Sequence, residues 1–409
     1  MNWALVILVT VVVGSLQPAR SAAQSGVSST EITLGTVGPL SGPRAAFFLP
    51  FYRGLELYVR ALNDEGGVHG RKIRLVPGDA KDTPDTAIGE LNRLIEVEKV
   101  FAFVGNSLGA AQTTAEKILD ERKMLDFGPL TLSDRHGIPA ERGRFSFRVL
   151  PALRHEAQAG YKHLTRRRGM AANRIAVLAP DTPLAKMGAD SVENLAAAQG
   201  AKLAARIVID LRQDRATAVR MAVQGLVPMK PGAVVLFGVA PLVEQLAAEL
   251  TSRRLEPVWL ATDEAVPWRF TEKLKELVMV TGVPSPDGSN RPGAIAYREH
   301  LKKYAPGAAP GYESLMGYAT AKVFAEALRL TGKELTTDRV VTTLEKFRRW
   351  DSGILGPITY TDKNHLGTTG AFVAEFKQGK RVGLEVLAVA CCDECQPTCK
   401  EQCVKECAD

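Results

Sequence analysis

The last nineteen residues, CCDECQPTCKEQCVKECAD, hold all six cysteines of this 409-residue chain. No other segment concentrates reactive side chains as strongly. Pro397 suits the first turn of a helix. From there Cys399, Cys403 and Cys407 recur every fourth residue, which sets three thiols along one helical face. Cys391, Cys392 and Cys395 come just before them. Three chemistries fit this pattern. In an oxidising compartment, clustered cysteines form disulfides. Thiols leave one helix nearly parallel, so such bridges need a hairpin or a second chain. Soft thiolates also suit Cu(I) or Zn(II), and Cys392, Cys395, Cys399 and Cys403 are the candidate metal ligands. An iron–sulfur cluster is the third chemistry. The CxxC of Cys392 and Cys395 fits a metal site, whereas the CxxxC ladder matches no common zinc or cluster spacing. The rest of the chain has no cysteine, so the tail cannot staple it.

Elsewhere no catalytic constellation stands out. The chain has no HExxH, no phosphate-cradling P-loop and no GxSxG elbow, and its six histidines are scattered. Asp79, Asp82 and Asp85 cluster at a strand-to-helix turn, where helix capping is the expected role. The sequence therefore points to a protein that is not an enzyme. Its composition, 45% hydrophobic and 24% charged, is that of an ordinary globular protein large enough for two cores. The net charge is +7, and +6 without residues 1–23. The charge is dispersed. The densest run, Arg166-Arg167-Arg168, falls at a predicted helix end, where cations complement the macrodipole. With no aromatic interleaving and no nucleic-acid motif, a nucleic-acid partner is not expected.

Residues 3–16 form an apolar run of signal-peptide length, and Ser21-Ala22-Ala23 allows cleavage before Gln24. No Lys or Arg precedes the run, which leaves an upstream start or an uncleaved anchor open. Export to the periplasm is the expectation. No cysteine sits at the junction to carry a lipid.

Strand and helix patterns alternate along most of the remaining chain. Strands are predicted at 31–37, 72–78, 100–104, 124–127, 145–149, 174–179, 203–209, 233–237, 257–261 and 278–283. Helices are predicted near 50–65, 84–98, 109–122, 155–168, 185–199, 215–226, 240–253 and 268–276. Such alternation argues parallel sheets with helices on both faces. Helices at 291–304, 312–331 and 336–347 follow. Strands near 355–360, 370–377 and 382–389 end the globular part. One sheet does not take this many units, so two α/β lobes are expected. Chain passages between them are predicted at 145–151, 280–286 and 350–357.

The stretch 31–76 carries the clearest pattern. An alternating strand (Ile32, Leu34, Thr36) runs into a Gly/Pro/Ser turn. A helix follows and ends at Gly66-Gly67, and a second strand starts at Lys72. The polar turn sits at the carboxyl end of the first strand, where open α/β sheets bind ligands. Gly38-Pro39-Leu40-Ser41-Gly42-Pro43, Arg53-Gly54 and Asn63-Asp64-Glu65-Gly66-Gly67-Val68-His69-Gly70-Arg71 resemble the opening of the periplasmic solute-binding proteins of the leucine/isoleucine/valine type. Gly353-Ile354-Leu355-Gly356-Pro357-Ile358 resembles a later family segment. The resemblance covers roughly residues 30–388.

The resemblance implies two doubly wound parallel-sheet lobes joined by a three-segment hinge, the type I periplasmic-binding-protein fold. One lobe would comprise 30–150 plus 285–350, and the other 151–284 plus 351–388, with 1–23 as signal peptide and 391–409 as a separate tail. It implies capture of a small solute, an amino acid or related compound, for an ABC-type membrane permease, with no cofactor needed for binding. A sensor on the same fold, or a metal or redox protein acting through the tail, are the alternatives. The solute would lie between turns 38–47, 105–109, 129–132, 181–185 and 261–265.

Residue by residue, the resemblance places the carboxylate-binding turn at Asn106, Ser107 and Gly109. The family's hydroxyl positions there fall on Leu108, Gly109, Ala110 and Ala111, leaving Asn106 and Ser107 as the polar side chains. Capping of the next helix is the alternative role for both. Thr131 keeps one hydroxyl in the following turn, where Leu132 replaces a family Thr. Phe47 aligns with the aromatic that covers the solute, with core packing as its alternative. Asp181 remains in the second-lobe turn, but the family's aromatic ring there is gone. Asp263 aligns with the acid that holds an ammonium group, with Glu264 beside it. The changed donor set implies a changed ligand class.

Overall fold

The computed structural model of the protein describes residues 24–81, 83–131, 143–262 and 272–389. The proposed signal segment, Asp82, Leu132, Asp263, Glu264 and the whole cysteine tail lie outside these residues.

Two sheets organise the chain. The first is five-stranded and parallel, in the order β2-β1-β3-β4-β5. Its strands are β1 (Glu31–Gly38), β2 (Lys72–Asp79), β3 (Ala102–Val104), β4 (Asp126–Phe127) and β5 (Ser146–Phe147). The second sheet takes β6 (Ile175–Pro180), β7 (Ala205–Ile209), β8 (Ala233–Leu236), β9 (Val258–Thr262) and β10 (Glu276–Thr281) in parallel. A short hairpin of β11 (Ile358–Thr359) and β12 (Gly367–Thr368) stands apart. The second sheet is then completed by two antiparallel strands, β13 (Gly370–Lys377) and β14 (Lys380–Val389), giving the order β14-β13-β10-β9-β8-β6-β7. It is thus mixed rather than wholly parallel.

The period of two in each strand assigns its side chains to opposite cores. Ile175, Val177 and Ala179 pack under the helices Leu153–Lys162 and Pro183–Ala198. Ala176 and Leu178, on the other face, pack under Arg215–Met229 and Val243–Ser252. The first sheet divides in the same way. Ala102 and Val104 face the helices Ala45–Asp64 and Tyr312–Thr331, while Phe103 faces Pro84–Glu96 and Gln112–Glu121. Both faces of both sheets are covered, which is why the strands read as near-continuous apolar runs.

Three sequence expectations change. Residues 268–271 of the predicted helix 268–276 lie outside the described residues, and Glu276 already opens β10, two residues before the strand predicted at 278–283. The hairpin strand β12 has two residues and no pattern to announce it. The third chain passage also moves. Residues 351–360 were expected in the second lobe, yet Ile354, Leu355, Ile358 and Tyr360 are fully buried in the first core. The Tyr360 hydroxyl donates to the Arg148 carbonyl at 2.6 Å. The passage therefore lies between β12 and β13.

The three passages meet around Arg148. Its backbone N–H donates to the His365 carbonyl at 2.8 Å. Its guanidinium, 1% exposed, donates to the carbonyls of Leu150 and Pro151. Gly367 (φ +74°) lies so close that a Cβ there would be 2.5 Å from the Arg148 carbonyl, and one on Gly282 would be 2.9 Å from the Pro151 ring.

The first core depends on a contact between distant segments. Helix Ala45–Asp64 and helix Tyr312–Thr331 touch backbone to backbone. A Cβ on Gly54 would fall 1.9 Å from the Ser314 carbonyl oxygen, and one on Gly317 would fall 1.9 Å from that of Phe51. Alanine is the better helix former by about 1 kcal/mol. The close approach reverses that preference, and Gly317→Ala should destabilise the protein by about 1–3 kcal/mol in urea unfolding, the usual cost of overpacking. Wild-type stability in that variant would show that the two helices are free to separate.

Candidate functional site

Parallel strands deliver their carboxyl ends to one edge of each sheet, and the turns leaving those ends form the candidate site. In the first lobe these turns follow β1, β3 and β4. They are fastened to one another by side chains that the turns themselves supply.

Asp79, at the end of β2, accepts from the N–H groups of Leu40, Ser41 and Lys81 at 3.0–3.2 Å, and from the Ser41 hydroxyl at 2.6 Å. Burial raises its pKa, but the bonds from Ser41, Lys81 and Leu40 outweigh that and hold the carboxyl below its ordinary value. The Gly/Pro/Ser turn after β1 is thus pinned to the neighbouring strand. Asp85 lies inside the first turn of the next helix, and Asp79 does not cap it as expected. Thr83 does, accepting from the Thr86 N–H, because its extended backbone aims the hydroxyl at the open first turn.

Asn106 is wholly buried. Its Oδ1 accepts from the Val37 N–H at 2.8 Å and its Nδ2 donates to Asp126 at 2.9 Å. Its carbonyl accepts from the Leu130 N–H at 2.7 Å. One residue thereby fixes the ends of β1, β3 and β4. Asn106 was expected either to touch the solute or to cap a helix, and it does neither, since its amide is spent inside the lobe. Ser107 does not cap either. The following helical turns begin at Leu108 and Ala111 with no side-chain cap. The Ser107 N–H donates to the Val37 carbonyl, while its partly exposed hydroxyl bonds to no described residue. It remains available at the turn.

Gly109 has φ +52° and is exposed, and the Arg44 guanidinium lies against it. A Cβ at Gly109 would be 2.5 Å from one Arg44 terminal nitrogen. Three residues further on, Phe47 is 43% exposed, so its alternative role as a core residue is excluded. The Phe47 N–H donates to the Arg44 carbonyl, which sets the two side chains one turn apart at the helix start. Thr131 is partly buried at the last described residue of its turn. The sequence reading did not single out Arg44, although it stands beside the quoted Gly42-Pro43 turn.

In the second lobe, Asp181 follows β6 and is exposed, with no hydrogen bond to a described residue. Thr182 caps the next helix by accepting from the Ala185 N–H. Leu184, at the position of the lost ring, is partly buried against the second core. Thr262 ends β9 fully buried, and its hydroxyl has no hydrogen-bond partner. Among the described residues, no cluster of His, Cys, Asp or Glu is arranged to hold a metal ion. No helix among them is long and apolar enough to cross a membrane.

A sequence profile of the periplasmic binding protein family matches residues 31–381. The chain belongs to this family, whose members bind rather than catalyse. The Leu/Ile/Val-binding protein homolog 7 of Brucella abortus is 39% identical over 104 residues, 25% of this chain and 26% of that protein. An amino acid binding protein of Pseudomonas aeruginosa is 30% identical over 99 residues, 24% of this chain and 26% of that protein. The matched stretches thus span about a quarter of each relative. Among solved structures, a branched-chain amino acid ABC transporter protein from Thermus thermophilus with bound valine superposes with a TM-score of 0.73 at 15% identity, covering 89% of this chain and 98% of that one. A fatty acid ABC transporter substrate-binding protein from Thermomonospora curvata superposes with a TM-score of 0.72 at 18% identity, covering 89% and 93%. These likenesses establish the fold.

The polar framework of the first lobe has a pH signature. Asp126 is 1% exposed, and burial followed by repulsion from Glu116 raises its pKa from 3.8 to about 7, against the bonds from Asn106 and Gln112. Between those two values the folded protein keeps a proton that the unfolded chain has released, so stability falls as pH rises through the window. Asp126→Asn abolishes this titration. Its stability relative to wild type should therefore rise between about pH 4 and pH 7, read by urea unfolding across the range. A difference that stays constant with pH would show that Asp126 does not titrate there.

Proposed function

We propose that the protein is an exported, periplasmic solute-binding protein that closes on a small polar solute and passes it to an ABC-type membrane permease. One observation carries this reading. Two α/β sheets meet at a three-passage hinge, and polar groups with no hydrogen bond to a described residue, the Ser107 hydroxyl and the Asp181 carboxylate, stand at their strand ends. A ligand that touches both lobes favours the closed arrangement by its differential contacts. The relatives and neighbours named above, described for amino-acid and fatty-acid binding or transport, support import. A thermal-shift screen of small solutes on the full chain tests it, because a ligand that binds only the folded state raises apparent stability.

Asp263 is the proposed partner for a cationic or hydrogen-donating group of the solute. In the sequence it comes directly after Thr262, the last residue of β9, and Glu264 follows it. Thr131 and Phe47 complete the proposed contacts. Asp263→Ala should weaken binding of a screened ligand by about 1.5–3 kcal/mol, the scale of a hydrogen bond to a charged group. An unchanged dissociation constant by calorimetry would remove Asp263 from the site.

The cysteine tail is proposed to carry separate thiol chemistry, either disulfides or a metal held by Cys392, Cys395, Cys399 and Cys403. β14 ends at Val389, so the tail begins where the second sheet is complete. A chain ending at Ala390 should keep the melting temperature and solute affinity of the full chain. Thiol titration and metal analysis should differ between the two. Six free thiols and no metal in protein recovered from the periplasm would defeat both chemistries, and loss of cooperative unfolding on truncation would make the tail part of the lobe.

A further inference from the structure

We propose that the second lobe carries a separate binding site for a phosphate group, in a hollow at the end of its sheet opposite to the solute turns. The hollow has a volume of about 450 Å3. His163 and Arg167 line it from one side, Glu375 and Lys377 from β13, and Val382 and Gly383 from β14. Glu276, the first residue of β10, stands at the same end and pairs with Lys377. That is the amino end of the parallel strands, whereas Asp181 follows the carboxyl end of β6. The site is therefore independent of the solute cleft.

Two departures from regular structure meet there. Val373 pairs with Val386 and Glu375 with Val382, so residues 383–385 of β14 stand opposite Ala374 alone. Gly383 has φ +75°, and a Cβ on it would meet nothing within 4 Å. The edge strand thus bulges where the hollow opens. On the other side, helix Leu153–Lys162 runs into a π turn, His163–Arg167. The Arg168 N–H closes it by bonding to the His163 carbonyl, five residues back, at 3.1 Å. Bulges and π turns give up regular hydrogen bonding and recur beside functional sites.

The charges around the hollow do not cancel. Glu375 accepts from His163 at 2.7 Å and from Arg168 at 3.1 and 2.9 Å. The bond from Arg168, ahead of other effects, holds its carboxyl down at about 2. Glu276 accepts from Arg168 at 3.1 Å and pairs with Lys377 at 3.1 Å. Two carboxylates are thus balanced by Arg168 and Lys377. Arg167, exposed and bonded to no described residue, is left over. One positive charge is uncompensated even with His163 neutral. Lys377 gives one of its three donors to Glu276 and keeps the others. Arg167 reaches the hollow from the π turn and Lys377 from β13. Donors arriving from two elements suit a tetrahedral oxyanion, whereas a planar carboxylate is matched by a single fork. Inorganic phosphate, a phosphate monoester and a phospholipid head group share this chemistry.

The test uses the full chain at low ionic strength, because salt screens exposed charges. Calorimetry should show binding of inorganic phosphate and of glycerol phosphate, and weaker binding of acetate. Arg167→Gln should weaken phosphate binding at least about tenfold, the scale of a charge-assisted hydrogen bond, with the melting temperature unchanged. Lys377→Gln should act in the same direction. Asp181→Asn, in the wall of the solute cleft, should leave phosphate binding as it is. Co-sedimentation with phosphatidylcholine vesicles, with and without phosphatidic acid, separates the sources. Binding to free phosphate alone supports the site with a soluble ligand, and binding to the anionic vesicles that free phosphate competes away supports it with a lipid head group. No phosphate binding up to about 10 mM, acetate bound as tightly as phosphate, or unaltered binding in Arg167→Gln would overturn the proposal, whatever solute the cleft takes.

Discussion

The contact on which the first lobe depends is the meeting of two helix backbones at Gly54 and Gly317. These residues stand more than 260 positions apart, and neither helix can bury its apolar face without the other. The early helix packs over β1 and β3, yet part of its cover must come from a segment made after the five parallel strands of the second sheet. The chain therefore has to leave the first lobe and return. A third passage then follows, because β13 and β14 complete the second sheet beside β10. Three passages are a consequence of how the cores are shared. Once they lie side by side, as around Arg148, relative movement of the lobes is confined to bending there.

The strand ends show a division of labour among polar residues. A buried amide or carboxylate costs free energy unless its hydrogen bonds are made. Residues whose side chains turn inward at these ends are therefore committed to the fold. Asn106 satisfies a backbone N–H and a buried acid, Asp79 satisfies three backbone N–H groups, and Thr182 caps a helix. What remains for a solute is what points outward without a partner in the lobe. A turn can thus look rich in polar residues and still offer few contacts. That is why Asn106 looked like a ligand group in the sequence and behaves as a brace in the structure.

The sequence revealed most of the fold because the strands are buried on both faces and the helices between them keep their own period. Helix Tyr312–Thr331 was legible to the residue, and the first-lobe strands to within two or three. What stayed hidden depends on distances rather than patterns. Nothing local marks Ile354–Tyr360 as first-lobe residues; their burial there comes from Phe347, Trp350 and Phe147, which are brought together only in three dimensions. Thr83 was passed over as a cap in favour of the acids around it, since hydroxyl and carboxylate caps are nearly interchangeable by type, and no pattern singled out Thr182. The meeting of Arg44 with Gly109, 65 positions later, is likewise a matter of distance and not of local pattern.

The same geometry bears on how the lobes can move. Each hydrophobic core lies within one lobe, so closure need not disturb either. Contacts that do pass between the two sets of residues near the hinge are of another kind. Arg291 bonds to Asp351 and to the Leu355 carbonyl at 3.0 Å in the first lobe, and its guanidinium stands 5.7 Å over the Phe372 ring of β13. A long side chain over a ring can slide by rotamer changes, whereas packed cores shift only in discrete steps. A seam of this kind can bend while each core stays packed as it is.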